Sequence, residues 1–106
     1  MNHAHEVVYI SGAISSDPNY QEKFASAQMV LESLGYHVIS PTMIPPHLTE
    51  YEHMDIDIVL VSVCDAFCLL PDWKISNGAP VEYEHAKDCE KRIILYAGID
   101  TERPRW

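Results

Sequence analysis

Two short runs in this chain are apolar at every position: Val7-Val8-Tyr9-Ile10 and Ala66-Phe67-Cys68-Leu69-Leu70. A strand with one wet face alternates apolar and polar residues. A strand without alternation suits burial on both faces, as in a parallel sheet. Tyr36-His37-Val38-Ile39-Ser40 and Arg92-Ile93-Ile94-Leu95-Tyr96 read as two further strands. Helical patterns separate the four. Asp17-Pro18 reads as a helix start, with Asp at the N-cap and Pro at the first helical position. Phe24, Ala27, Leu31 and Leu34 then recur on one face, and Gly35 stops the helix. Thr49-Glu50-Tyr51-Glu52 has capping-box spacing and opens a helix from about residue 50 to 63. A third helix runs from about Ala79 to about Glu90. Pro41, Pro45 and Pro46 crowd residues 41–48, which can continue neither a strand nor a helix.

The resulting order, βαβαβαβ with short connections, predicts an α/β fold. The expected architecture is one doubly wound, flavodoxin- or Rossmann-like domain. It has a four-stranded parallel sheet in the order 2-1-3-4, right-handed crossovers and helices on both faces. The sequence shows no repeat, linker or low-complexity tract. Residues 1–106 therefore read as a single domain, with a core of about 6–96 and a tail of 97–106 that has no usable period.

Composition excludes several classes of function. A net charge of −9 over 106 residues disfavours a duplex nucleic-acid binder, which needs a basic face to displace counterions. No apolar run approaches the roughly 20 residues that span a bilayer, so no membrane association is expected. Met1 to Glu6 carries no signal-peptide pattern. Three cysteines, an odd count within patterned segments, read as reduced thiols of a cytoplasmic protein.

The residues with chemical potential cluster at predicted strand ends, where ligands bind in open parallel sheets. Ser76-Asn77-Gly78-Ala79-Pro80-Val81-Glu82 is a glycine-containing loop that follows the third strand and opens a helix. Glu82 lies in the first helical turn, where free amides and the macrodipole stabilise a carboxylate. It reads either as a nucleophile or general base or as a solvated first-turn acid. Glu84, two residues on, faces away and reads as solvent-exposed. Asp57 has His53, Met54, Leu60 and Val61 as its helical neighbours. A carboxylate on that apolar stripe either donates a proton with a raised pKa or caps a neighbouring loop; Asp55 reads as a surface acid. Tyr9 lies in the first strand, with Ser11 and Gly12 at its end. Gly12 permits close approach of a ligand, and Ser15, Ser16 and nearby amides suit a phosphate or a sugar hydroxyl. Asp72 and Trp73 fall at the edge of the same site; Trp73 either stacks on a base or covers the core.

Motifs for cofactors are missing. There is neither G-x-G-x-x-G nor a Walker lysine, so no dinucleotide or nucleoside-triphosphate site is expected. His47 and His53 lack metal spacing, Glu82-x-x-His85 occurs once, and Cys64 and Cys68 straddle a helix-to-strand junction. No metal and no cofactor are expected. Nor is there a strand-turn-helix nucleophile motif of the Ser-His-Asp type.

Val8-Tyr9-Ile10-Ser11-Gly12-Ala13-Ile14, Asp57 placed eight residues before Asp65, and Ser76 to Glu82 together resemble the nucleoside 2-deoxyribosyltransferase-like superfamily. That group includes deoxynucleoside-monophosphate N-glycosidases and a short bacterial and phage branch. The resemblance spans roughly residues 6–96 and rests on the order and spacing of these elements. It implies that Glu82 attacks the sugar C1′, that Asp57 protonates the leaving base or fixes the sugar, and that Tyr9 lines the pocket. Ser76 would contact the 5′ end, with Ser11, Gly12, Ser15, Asp72, Trp73 and Gly78 completing the substrate site. The small-molecule partner would be a 2′-deoxynucleoside or its 5′-monophosphate, processed through a covalent glycosyl-Glu intermediate as in a retaining glycosidase. Acceptance by a second base makes a transferase; acceptance by water makes a hydrolase. The resemblance also implies a homodimer or higher homo-oligomer. The loop after the first strand departs from the monophosphate glycosidases, with Ser15-Ser16-Asp17 in place of arginines. A non-catalytic nucleoside- or nucleotide-binding module on the same fold is the alternative reading.

Overall fold

The computed structural model describes residues 5–96. Four strands, β1 (Val7–Ser11), β2 (His37–Ile39), β3 (Ala66–Leu69) and β4 (Arg92–Leu95), alternate with three helices, α1 (Tyr20–Ser33), α2 (Glu50–Val63) and α3 (Ala79–Asp88). All pairings are parallel and the sheet order is β2-β1-β3-β4. Short 3-10 turns at Pro41–Met43 and Trp73–Ile75 follow β2 and β3. No helix among the described residues is long and apolar enough to cross a membrane.

Strand parity divides the core into two layers. Val8 and Ile10 of β1, with Ala66, Cys68 and Leu70, pack against Phe24, Ala27 and Leu31 of α1. Tyr9, Phe67 and Leu69 point to the opposite face, against Val61 of α2 and Ala86 of α3. The side-chain period of a strand is two, so Ser11 shares the face of Tyr9. On α2 the buried residues are Asp57 and Val61; on α3 they are Ala79, Glu82 and Ala86. Each helix therefore presents an acid on the same stripe as the apolar residue that packs on the sheet, one turn away at i, i+4. The three placements converge: Tyr9 and Ser11 from β1 below, Asp57 and Glu82 from the helices above.

Helix ends follow local chemistry. The capping box on α2 forms as the spacing predicts, with Glu52 N–H donating to Thr49 Oγ1 at 3.1 Å and Thr49 N–H to Glu52 Oε1 at 2.9 Å. Gly35 has a φ of 100° just past the end of α1, a conformation that favours glycine. The start of α1 differs from the sequence expectation. The helix begins at Tyr20 with Asn19 at the N-cap, and Asp17 lies in the preceding turn. Its carboxylate is drawn instead to Lys23 Nζ at 2.8 Å and to the Asn19 amide at 2.9 Å. One oxygen serves the cation and the other still caps an amide two residues on, but in a turn that leads into the helix rather than at its first residue.

Candidate active site

A cavity of about 550 Å³ opens beyond the carboxyl ends of the strands. Of the residues singled out in the sequence, Gly12, Ser15, Asp57, Ser76, Gly78 and Glu82 line it. Glu82 is 5% exposed and Asp57 7%, so both carboxyl groups sit at the floor. Tyr9 and Ser11 lie behind Glu82, wholly buried. Ser11 Oγ donates to Glu82 Oε1 at 2.7 Å, and Tyr9 Oη donates to Glu82 Oε2 at 3.2 Å. Each carboxylate oxygen thus has its own hydroxyl donor. Asp57 lies within hydrogen-bonding reach of Glu82 and Tyr9, while its Oδ1 is buried without a hydrogen-bond partner.

Burial dominates the electrostatics. It pushes the Glu82 carboxyl well above the ordinary carboxylate range, and the facing Asp57 adds to the rise, while the Ser11 and Tyr9 hydroxyls oppose it. Burial also raises Asp57, offset in part by Glu82, Tyr9 and the charge of His53. Tyr9 is raised in turn by burial and by the two acids, which keeps it a neutral donor. Two carboxyls that face each other in a dry site resist ionising together, so they share one proton near neutrality. Two donors serve Glu82 and none serves Asp57 Oδ1. The two hydroxyl donors favour the charge on Glu82, whereas its burial and the facing Asp57 favour a proton there, so the shared proton belongs to the pair rather than to either acid.

Ser11, Tyr9 and Asp72 take roles other than those expected, whereas Trp73 and Glu84 take roles read for them in the sequence. Ser11, read as a substrate contact, is fully buried and donates to Glu82. Tyr9, read as a pocket wall, is a buried support for the same carboxylate. Asp72 lies outside the cavity lining: it accepts the Ala13 amide at 3.1 Å and pairs with Lys23. Trp73 packs on the core, its ring edge-on to Tyr83 with centroids 5.0 Å apart. Ser76 Oγ accepts the Gly78 and Ala79 amides at 3.2 and 3.0 Å, tying down the mouth of α3. Glu84 faces solvent and pairs with Lys87 at 3.0 Å. Among the described residues no group of three or more His, Cys, Asp or Glu is placed to hold a metal.

Sequence reasoning missed one wall. Pro41, Thr42, Ile44, Pro46 and Leu48, with Met54 from α2, close the cavity on its apolar side. The prolines marked these residues only as a break in regular structure. Their position directly after a parallel strand was the signal, since such connections flank the ligand side of an open sheet.

The family model described as "Domain of unknown function (DUF4406)" matches residues 6–95. No curated protein matches the sequence. Among solved structures, a 2-desoxiribosyltransferase from Leishmania mexicana superposes with a TM-score of 0.70 at 17% identity, over 86% of this chain and 63% of that one. A CMP N-glycosidase from Clostridium botulinum, BcmB, gives 0.65 at 21% identity, over 85% of this chain and 70% of its own. BlsM gives 0.65 at 22% identity, over 85% and 63%. This chain thus spans less than two thirds of the Leishmania and BlsM chains. These likenesses show a shared fold.

Proposed function

The chain belongs to the DUF4406 family, and from the geometry of its acid pair we propose that it cleaves or exchanges the N-glycosidic bond of a 2′-deoxynucleoside or its 5′-monophosphate. The observation that carries this reading is Glu82: buried at a cavity floor, held by two hydroxyl donors and set beside a second acid. A carboxylate so placed is fixed in aim and kept from water, as a nucleophile requires. That a 2-desoxiribosyltransferase and a CMP N-glycosidase share the fold supports the same class of chemistry.

In the first step a Glu82 oxygen forms a bond to C1′ while the bond from C1′ to the base nitrogen breaks. Asp57 gives its proton to the departing base and becomes a carboxylate. The product is a glycosyl ester on Glu82. In the second step water, or the nitrogen of another base, attacks C1′ and the ester bond breaks. The attacking group's proton passes to Asp57, and Glu82 leaves as a carboxylate. Both steps pass through an oxocarbenium-like transition state, beside the negative charge that Glu82 supplies. Ser11 and Tyr9 hold the nucleophile; Ser76, Gly78 and Gly12 border the sugar.

Ile56, Val59 and Val63 line one exposed face of α2, which supports a homodimer or higher homo-oligomer. Three free thiols, Cys64, Cys68 and Cys89, fit a cytoplasmic setting.

The test is incubation with a panel of 2′-deoxynucleosides and their monophosphates, with and without an acceptor base, followed by chromatography for free base. Base release that Glu82→Gln abolishes, with a sugar adduct on Glu82 by intact mass, is the expected result. Ligand binding without base release at long incubation would leave a non-catalytic binding module.

A further inference from the structure

We propose that the substrate enters without a phosphate, because the carboxyl groups of the described cavity lining meet no lysine or arginine there and Lys23, the cation at the start of α1, is already paired with Asp72 and Asp17. This rests on the nucleoside-directed reading above and chooses between its two substrate classes. A bound phosphate monoester is held by amides, hydroxyls, lysines or arginines. The loop after β1 and the start of α1 hold such donors, and the Ala13 amide, the Asp17 amide and Lys23 already have partners. Ala13 lies between the lining residues Gly12 and Ile14, and its N–H donates to Asp72 Oδ1 at 3.1 Å. Lys23 Nζ contacts Asp72, Asp17 Oδ2 at 2.8 Å and the Ala13 carbonyl at 2.7 Å. The Asp17 amide donates to the Ile14 carbonyl at 3.2 Å. At the mouth of α3, the Gly78 and Ala79 amides both donate to Ser76 Oγ.

Beside neutral polar groups such as Ser15, Gln21 and Asn77, the side chains facing the cavity that carry charge are acids. Glu50, Asp57 and Glu82 line it, and the described lining holds no lysine or arginine. His53 is the one lining side chain able to become cationic, and its charge acts on Asp57. A dianionic phosphate would meet three carboxyl groups in a partly desolvated space, where like charges repel strongly. The Asp72 carboxylate is thus an internal anion that takes up the Ala13 amide and part of the Lys23 charge, and Asp72 acts as a specificity-determining residue without touching the base or C1′.

The experiment compares kcat/KM for the four common 2′-deoxynucleosides with that for their 5′-monophosphates, in the parent protein and in Asp72→Asn. The parent is expected to favour the nucleosides by about tenfold or more. Added salt should raise turnover of the monophosphates, because it screens repulsion; a true phosphate site would lose turnover. Asp72→Asn, which removes one of the two acids paired with Lys23 and keeps the side-chain shape, should narrow the preference several-fold. A parent that favours monophosphates, inhibition by inorganic phosphate, or an unchanged ratio in Asp72→Asn would each overturn the proposal. Equilibrium dialysis of the same ligands against Glu82→Gln separates the two readings. Nucleoside binding there with no turnover by the parent would sustain the charge selectivity and sink the catalytic function; no binding of either class would sink both.

Discussion

Glu82 sits under opposed influences, and their balance can be measured residue by residue. Burial and Asp57 raise its pKa, while the hydroxyls of Tyr9 and Ser11 lower it. The reaction needs one proton on the pair, so kcat/KM should fall at low pH as the pair gains a second proton and at high pH as it loses the one it shares. Both limbs lie above the ordinary carboxylate range. Tyr9→Phe removes the 3.2 Å donor and leaves the ring in its stack on Phe67. It should lower kcat/KM by roughly 10- to 100-fold, the worth of a hydrogen bond to a charged group, and move the acid limb to higher pH. Stability follows its own sign. The folded-state pKa of Glu82 is raised, so its contribution is full below the unfolded value and is lost as pH rises through the folded one. Glu82→Gln cannot ionise. Its Tm should therefore gain on the parent as pH rises through neutrality, by about 4–8 °C for each kcal/mol recovered. A difference that stays flat with pH would show that the acid pair is not desolvated.

The elements that carry these acids were legible to different degrees. The capping box of α2 was plain in Thr49 and Glu52, because both its partners are local. Thr49→Ala should cost about 1 kcal/mol in urea unfolding, within the range for lost N-caps, with little effect on Asp57 two turns away. The start of α1 was misread because the bond from Asp17 to the Asn19 amide closes a turn as readily as it caps a helix, and here the helix begins only at Tyr20. Gly12 illustrates a residue singled out for one reason and required for another. It borders the cavity as expected, yet a Cβ there would also lie 2.8 Å from Leu70 Cδ1 and 2.9 Å from Leu70 Cβ. Gly12→Ala should therefore destabilise the fold by roughly 1–3 kcal/mol, the usual cost of overpacking, and combined with Leu70→Ala it should cost less than the sum of the two single changes.

For the whole molecule, the parallel sheet and its order could be read because they follow from alternation and crossover rules, and those rules also carry Tyr9 and Ser11 to the face of Asp57 and Glu82. What the rules do not supply is contact between connections far apart in the chain. Lys23 makes that contact. From α1 it joins Asp17 and the Ala13 carbonyl, beyond β1, to Asp72, beyond β3, and so ties together the ends of the two central strands. The Lys23 and Asp72 side chains are 21% and 25% exposed, which places the pair between a surface bridge and a buried one. Lys23→Met should lower stability by on the order of 1–2 kcal/mol, with Lys23→Arg restoring much of it. Asp17 is held below its ordinary pKa, first by Lys23 and then by the Asn19 amide. A depressed carboxyl adds stability above its unfolded value and loses it as pH falls through the folded one, so the penalty of Lys23→Met should shrink in acid. Urea unfolding at pH 7 and pH 3 measures it. An equal penalty at both would mean that the lysine acts through contacts that do not depend on the ionised acids, such as its Nζ over the Phe24 ring 5.5 Å from the centroid.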